Sequence, residues 1–313
     1  MKIGILGAGA FGSALAIALA RGGRDVTLWA RKSGDMARNR RVPRLPGVEL
    51  PADIRVIETL GELSGAPVLL AVPMQALADT LARPDFPSSP ALVACCKGLD
   101  LGTGKGPTRL IHESWPDAQA AILTGPSFAA DIARGLPTAL TLASVGTLDD
   151  LQLLLSTPTL RIYSSNDPLG AEIGGAMKNV IAIACGIVIG AGLGQSARAA
   201  LMTRGLVEIR RFAEALGARA ETLSGLSGFG DLVLTCSSEQ SRNYAHGLAL
   251  GRGSEIQPGV TVEGIATAHA ARSIATARGI DMPITEVVSA ILNGQVAIGD
   301  AIKGLLARDL TQE

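Results

Sequence analysis

The chain reads as two parts: an α/β N-terminal domain with a mainly parallel sheet over residues 1–165, and an all-α C-terminal domain over residues 166–313. In the first half, short apolar runs alternate with helical stretches, which is the pattern of a parallel sheet covered on both faces. Near Asn166-Asp167-Pro168 the texture changes to long alanine-rich helical stretches. A length of 313 residues suits two such units.

Each element follows from local pattern. Lys2–Leu6 predicts a strand, Phe11–Arg21 a helix and Asp25–Ala30 a second strand. Val68–Val72, Leu92–Cys95, Ala121–Leu123 and Ala139–Leu142 predict further strands. In the second part, Gly217, Gly225-Leu226-Ser227-Gly228, Pro258-Gly259 and Pro283 separate the helices. Val180–Leu193 is the longest apolar run; it is too short and too rich in glycine to span a membrane, so it predicts a buried helix.

Composition narrows the function. Hydrophobic residues make up 47% and aromatics only 3%, so small aliphatic side chains must build a large core. The formal net charge is +0, which removes the global basic field that a nucleic-acid protein needs. Any anion must be held by local groups. Cys95 and Cys96 are adjacent, Cys185 lies in an apolar run and Cys236 is alone; no CxxC pair or other metal-ligand spacing occurs. Reduced thiols and the lack of a targeting segment predict a cytoplasmic protein without integral membrane association.

Gly7-Ala8-Gly9-Ala10-Phe11-Gly12 is GxGxxG, directly after a strand and opening a helix. Gly7 permits the tight turn, Gly9 lets the backbone approach a pyrophosphate and Gly12 lets the helix pack on the strand. The helix N-terminus then binds phosphate without a cationic side chain. The strand–turn–helix–strand context makes the N-terminal domain Rossmann-type. NAD-preferring sites carry an acid at the end of the second strand. Here the sequence is Trp29-Ala30-Arg31-Lys32, and two cations suit a 2′-phosphate. NADP(H) is therefore expected to be used, with NAD(H) as the alternative.

Lys178 is the centre of the chemical reading. It sits in Glu172-Ile173-Gly174-Gly175-Ala176-Met177-Lys178-Asn179, and the next stretch, Val180 to Leu193, has no charged side chain. Burial pushes a lysine pKa down, which makes it usable as an acid or base near neutral pH. Lys97 follows a strand, where ligands of open parallel sheets bind. In Gly125-Pro126-Ser127-Phe128-Ala129, backbone N–H groups and the Ser127 hydroxyl can hold an oxyanion, or Ser127 can cap the helix that starts there. Asp231 suits a partner for Lys178, a substrate hydroxyl or a helix cap. Ser241-Arg242-Asn243 suits a phosphate monoester, with Arg242 making paired contacts. Of the scattered His112, His246 and His269, only His246 lies near these groups, and it makes a poor acid–base candidate.

Together these motifs resemble the bacterial NAD(P)-dependent glycerol-3-phosphate dehydrogenases. The matching pieces are GAGAFG at 7–12, Lys97-Gly98, GPSFA at 125–129, GGAMKNVIAIA at 174–184, SGFGDLVLTC at 227–236, SRN at 241–243 and VEG at 262–264, in the family's order. The resemblance implies that Lys178 donates and accepts the proton, and that Lys97, Gly125, Ser127, Asp231, Ser241, Arg242 and Asn243 hold the glycerol phosphate. It also implies that Phe11, Arg31, Lys97, Ala129, Arg242 and Glu263 touch the nucleotide, and that the enzyme is a homodimer supplying phospholipid precursor. The chain departs from the family pattern in its arginine-rich loop Arg38-Asn39-Arg40-Arg41 and in residues 251–262, where Thr261 replaces an expected valine. A ketopantoate-type or β-hydroxyacid reductase, and a nucleotide sensor without chemistry, are the alternatives.

Overall fold

The structure is a computed structural model and describes residues 1–255 and 261–306. Pro258-Gly259 and part of the 251–262 stretch lie outside the described residues.

One sheet of eight strands organises the first half. They are β1 (Lys2–Leu6), β2 (Asp25–Trp29), β3 (Arg55–Ile57), β4 (Val68–Leu70), β5 (Ala91–Ala94), β6 (Gln119–Thr124), β7 (Thr138–Ser144) and β8 (Leu160–Ser165). Their order is β3-β2-β1-β4-β5-β6-β7-β8. All neighbours pair parallel except β6 with β7, so the last two strands run against the first six.

Two strands were not anticipated. β3 is a three-residue edge strand, too short for any period to show. In β8 Leu160 and Ile162 are buried while Arg161 and Tyr163 are exposed. That is one-sided burial of an edge strand, and its polar half hides it among loop residues.

The order reverses between β1 and β4, and Gly7 sits at that switch point. Its φ is 119°, a left-handed backbone that favours glycine, and an added Cβ would stand 2.6 Å from Ala71 O. The helix Ala10–Arg21 starts at once, with Gly9 as an extended N-cap and no side chain capping it. Residues 12–20 of this helix are all buried, as its alanine-rich sequence allows.

The Arg38–Arg41 stretch is not all loop: Arg38 and Asn39 end the helix Gly34–Asn39, and Arg40 is its C-cap. Arg40 takes φ 55°, and its guanidinium donates to the carbonyls of Pro51 and Ile54 (2.8 Å for Ile54), clipping the following loop.

The second half is helical and built around Pro168–Gly190, with Asp167 as its N-cap accepting from Gly170 N at 3.0 Å. This helix is longer than the apolar run alone suggested, and it ends at Gly190. It is long and apolar enough to cross a membrane, but 83% of its most apolar window is buried inside the protein. It is therefore the core of the helical unit. Gly186 and Gly190 on it face Gly247 and Gly251 of the helix Arg242–Arg252, and a Cβ on any of the four would strike backbone of the other helix. The two backbones meet at glycine-only distance, which fixes where Lys178 stands relative to the Ser241-Arg242-Asn243 segment.

Candidate active site

Lys178 lies on the third turn of Pro168–Gly190 and is 7% exposed. Its Nζ donates to Asp231 Oδ1 at 2.9 Å and to Thr235 Oγ1 at 2.7 Å. Asp231 and Thr235 begin and nearly end the helix Asp231–Cys236 and stand one turn apart on one face. The turn Leu226–Gly230 that leads into this helix approaches closely because Gly174 has no side chain: a Cβ there would lie 2.7 Å from Ser227 O.

Lys97 follows β5 and reaches the same carboxylate from the sheet side. Its Nζ donates to Asp231 Oδ2 and to Gly125 O, the latter at 3.2 Å. One buried carboxylate is thus shared by two ammoniums. Burial raises the Asp231 pKa, but the charges of Lys178 and Lys97 outweigh it and hold the carboxyl below its ordinary value. Burial, opposed by Asp231 and reinforced by Lys97, lowers Lys178 to about 8. Both protonation states of Lys178 are then accessible near neutral pH.

Of the other sequence candidates, Gly125 meets this pair through Lys97, and Asn243 bonds Asn179, the neighbour of Lys178. Gly125 has φ 141°, and its carbonyl is the one Lys97 uses. Ser127 donates weakly to Gly125 O at 3.4 Å, and the next helix, Ala129–Arg134, takes Phe128 as its N-cap, so Ser127 does not cap it. Ser241 caps Arg242–Arg252 by accepting from Tyr244 N at 3.2 Å. Arg242 is exposed. Asn243 donates to Asn179 Oδ1 and accepts from Gly264 N, both at 2.9 Å, so its amide ties three helices together. Burial raises the Glu263 pKa against the nearby charges of Arg242, Lys97 and Lys178, which places this carboxyl beside the cationic cluster.

The glycine loop is a separate region of the same sheet end. Gly9 faces open space where a Cβ would be, and Gly12 packs against Gly7 O. No acid stands in the first turn of Ala10–Arg21. Uncapped N–H groups, a helix dipole and a bare backbone fit a pyrophosphate. Phe11, Ala10 and Ala129 are half-buried and pack against the same core cluster. Arg31 and Lys32 are exposed past β2, three strands along from Lys97. An acid does stand near them: Glu58, just past β3, accepts from Ser33 N at 2.6 Å and Ser33 Oγ at 2.7 Å.

Sequence reading missed Thr235 and Asn179. Thr235 was detectable as the i+4 partner of Asp231, and Asn179 as the polar neighbour of Lys178. Glu172, also missed, is buried and accepts from Thr108 N at 2.6 Å, joining the Lys178 helix to the helix Pro107–Ser114.

Family models for NAD-dependent glycerol-3-phosphate dehydrogenase match residues 2–148 with the N-terminal part and 167–303 with the C-terminal part. The chain belongs to this family. A glycerol-3-phosphate dehydrogenase [NAD(P)+] of Cereibacter sphaeroides is 59% identical over 99% of this chain and 100% of its own. A crystal structure of glycerol-3-phosphate dehydrogenase from Coxiella burnetii superposes with a TM-score of 0.92 at 36% identity, covering 98% of this chain and 99% of that one. A ketopantoate reductase from Ralstonia eutropha reaches only 0.56 at 16% identity, covering 96% of this chain and 100% of that one, which is likeness of fold alone. As a member of the glycerol-3-phosphate dehydrogenase family the chain is an NAD(P)-dependent oxidoreductase, and the ketopantoate-type alternative falls away.

Proposed function

We propose that this dehydrogenase interconverts dihydroxyacetone phosphate and sn-glycerol 3-phosphate, with Lys178 as general acid and base. The buried Lys178–Asp231–Lys97 cluster carries the reading. The nicotinamide supplies or takes the hydride at C2 of the substrate. In reduction, the Lys178 ammonium protonates the forming alkoxide oxygen; in oxidation, neutral Lys178 takes the hydroxyl proton. Asp231 orients the amine, and Thr235 fixes a second N–H. The cationic form also stabilises developing negative charge in a dry site.

Residues 1–165 hold the nucleotide and residues 166–313 supply the chemistry in this reading. Gly7, Gly9, Ala10, Phe11 and Gly12 receive the pyrophosphate side, with Ala129 and Glu263 bordering the nucleotide. Arg31 and Lys32 favour NADP(H) over NAD(H). Lys97, Gly125, Ser127, Ser241, Arg242 and Asn243 position the phosphate substrate, so that remote binding aligns the reacting carbon. The product serves phospholipid backbones. We assign a cytoplasmic homodimer, in line with four unpaired cysteines and with the exposed Leu193 and Val207 at the helix Gly194–Ala215.

The test is loss of reduced-nicotinamide absorbance with dihydroxyacetone phosphate, using NADPH and NADH in parallel and ketopantoate as control. Turnover with the phosphate substrate alone is expected. Nucleotide binding without turnover of any substrate would favour a sensor instead.

A further inference from the structure

A buried hydroxyl in the wall of this site has no partner. Thr124 ends β6, immediately before Gly125. Its side chain shares the sheet face of Ile122, which packs in one cluster with Ala171 of the catalytic helix. Thr124 is 0% exposed, and its Oγ1 makes no hydrogen bond. A Cβ on Gly175, one turn before Lys178, would stand 2.8 Å from that oxygen and 3.7 and 3.8 Å from Cγ and Cδ of Lys97. The hydroxyl and the Lys97 stem therefore both lie within 4 Å of one point on the bare backbone of the Lys178 helix.

Two facts make this arrangement informative. A buried unpaired hydroxyl costs stability, and a valine of the same shape would avoid the cost. An ammonium also has three N–H donors, and Lys97 spends two of them on Gly125 O and Asp231. Cδ of Lys97 is two bonds from the ammonium, so turning the last torsions brings a donor toward Thr124. Local rules are broken where function asks for it.

We propose that Thr124 is a positioning residue whose hydroxyl accepts from the Lys97 ammonium in the substrate-loaded enzyme. Asp231 holds one charge shared by two lysines. To serve an anionic substrate, Lys97 must turn part of its charge away from Asp231. Thr124 supplies a neutral acceptor that keeps the ammonium hydrogen-bonded during that turn and leaves Asp231 to Lys178. The inference rests on the proposed reaction.

The test compares Thr124→Val and Thr124→Ser with the unchanged full chain, by steady-state kinetics and thermal unfolding. Thr124→Val is expected to unfold at the same or a higher temperature. Its KM for dihydroxyacetone phosphate should rise about tenfold, the loss of one hydrogen bond to a charged group, while kcat falls less and the nucleotide KM stays put. Thr124→Ser should restore the substrate KM. Unchanged kinetics in Thr124→Val would overturn the proposal, as would a loss that tracks a lower unfolding temperature and is not recovered by serine. An unchanged chain that turns over no phosphate substrate would instead remove the reaction itself.

Discussion

Asp231 holds Lys178 in a buried ion pair of 2.9 Å while its other oxygen is engaged by Lys97. The carboxylate decides how much positive charge the site carries. Two ammoniums against one carboxylate leave a net positive centre in a region almost closed to water. That excess suits an anionic substrate and a developing alkoxide, while burial, against the Asp231 charge, is what makes the Lys178 proton easier to remove.

The two directions of the reaction should respond to pH with opposite sign. Lys178 sits at about 8. In the proposed reaction, reduction uses the ammonium, so its kcat should fall as pH rises through about 8. Oxidation uses the free amine and should rise through the same region. Lys178→Ala should erase this ionisation and lower kcat about 10²–10⁴-fold, while NADPH still binds with its usual Kd. A pH profile in both directions, with nucleotide titration of the variant, checks this. Near-normal turnover in Lys178→Ala would remove the lysine from its role.

Asp231→Asn should shift that profile rather than simply depress it. The Asp231 charge opposes the burial that lowers Lys178. Without it, burial and the Lys97 charge act unopposed, and the amine loses its proton more readily. The midpoint of the reductive kcat should move to lower pH by about one unit or more. A variant with reduced rate but an unmoved midpoint would show that Asp231 orients the amine without tuning it.

The parts of this molecule that were legible in the sequence are those with a strong local period or a motif. GxGxxG after Lys2–Leu6 places the cradle because turn, close approach and helix packing each demand glycine there. Lys178 stands out because a charge is costly before so long an apolar run. Of the Lys97–Asp231–Lys178 cluster, the sequence offered the Asp231–Lys178 pairing as one reading among three, and Lys97 stood apart from it. Their meeting depends on chain segments 134 and 53 residues apart, which no local pattern encodes. Thr124 was invisible for the same reason: it is one polar residue ending an apolar strand, and only burial distinguishes it. Arg40 stood out only as part of an arginine-rich run, and its carbonyl contacts make it a loop clip.

Cofactor choice should respond to the two cations past β2. Arg31 and Lys32 are exposed and free to meet a 2′-phosphate, while the nearby Glu58 is committed to Ser33. Replacing both with alanine should raise the KM for NADPH about tenfold or more, the worth of charge-assisted phosphate contacts, with little effect on NADH. Parallel loss with both nucleotides would place these cations away from the 2′ position.

Glu172 gives the protein a pH-dependent stability that is separate from catalysis. Burial, only partly offset by the hydrogen bonds of Thr108, raises its pKa from 4.5 to about 7. The folded state therefore binds this proton more tightly than the unfolded chain. Its contribution is fully present below about 4.5 and is lost as pH rises through about 7, an effect on the order of 3 kcal/mol. Glu172→Gln keeps an acceptor for Thr108 N but cannot ionise. Its stability relative to the parent, from urea midpoints, should be greater at pH 8 than at pH 5. An equal difference at the two pH values would mean that Glu172 keeps an ordinary pKa.

The glycine contact between Pro168–Gly190 and Arg242–Arg252 is the most demanding piece of packing around the site. A Cβ on Gly247 would strike Ile183 O, and one on Gly186 would strike Tyr244 O. Backbone cannot yield as a flexible side-chain tip can, so the two helices must separate. Gly247→Ala should cost about 1–3 kcal/mol or more, an overpacking penalty that exceeds any gain in helix propensity. Because the same helices carry Lys178 and Arg242, kcat/KM should fall along with the unfolding temperature. Gly61→Ala serves as control, since nothing lies within 4 Å of its added Cβ. It should unfold within a degree or so of the parent, whereas Gly247→Ala should unfold several degrees lower. Equal unfolding temperatures for the two variants would mean that the helices do not meet at backbone distance.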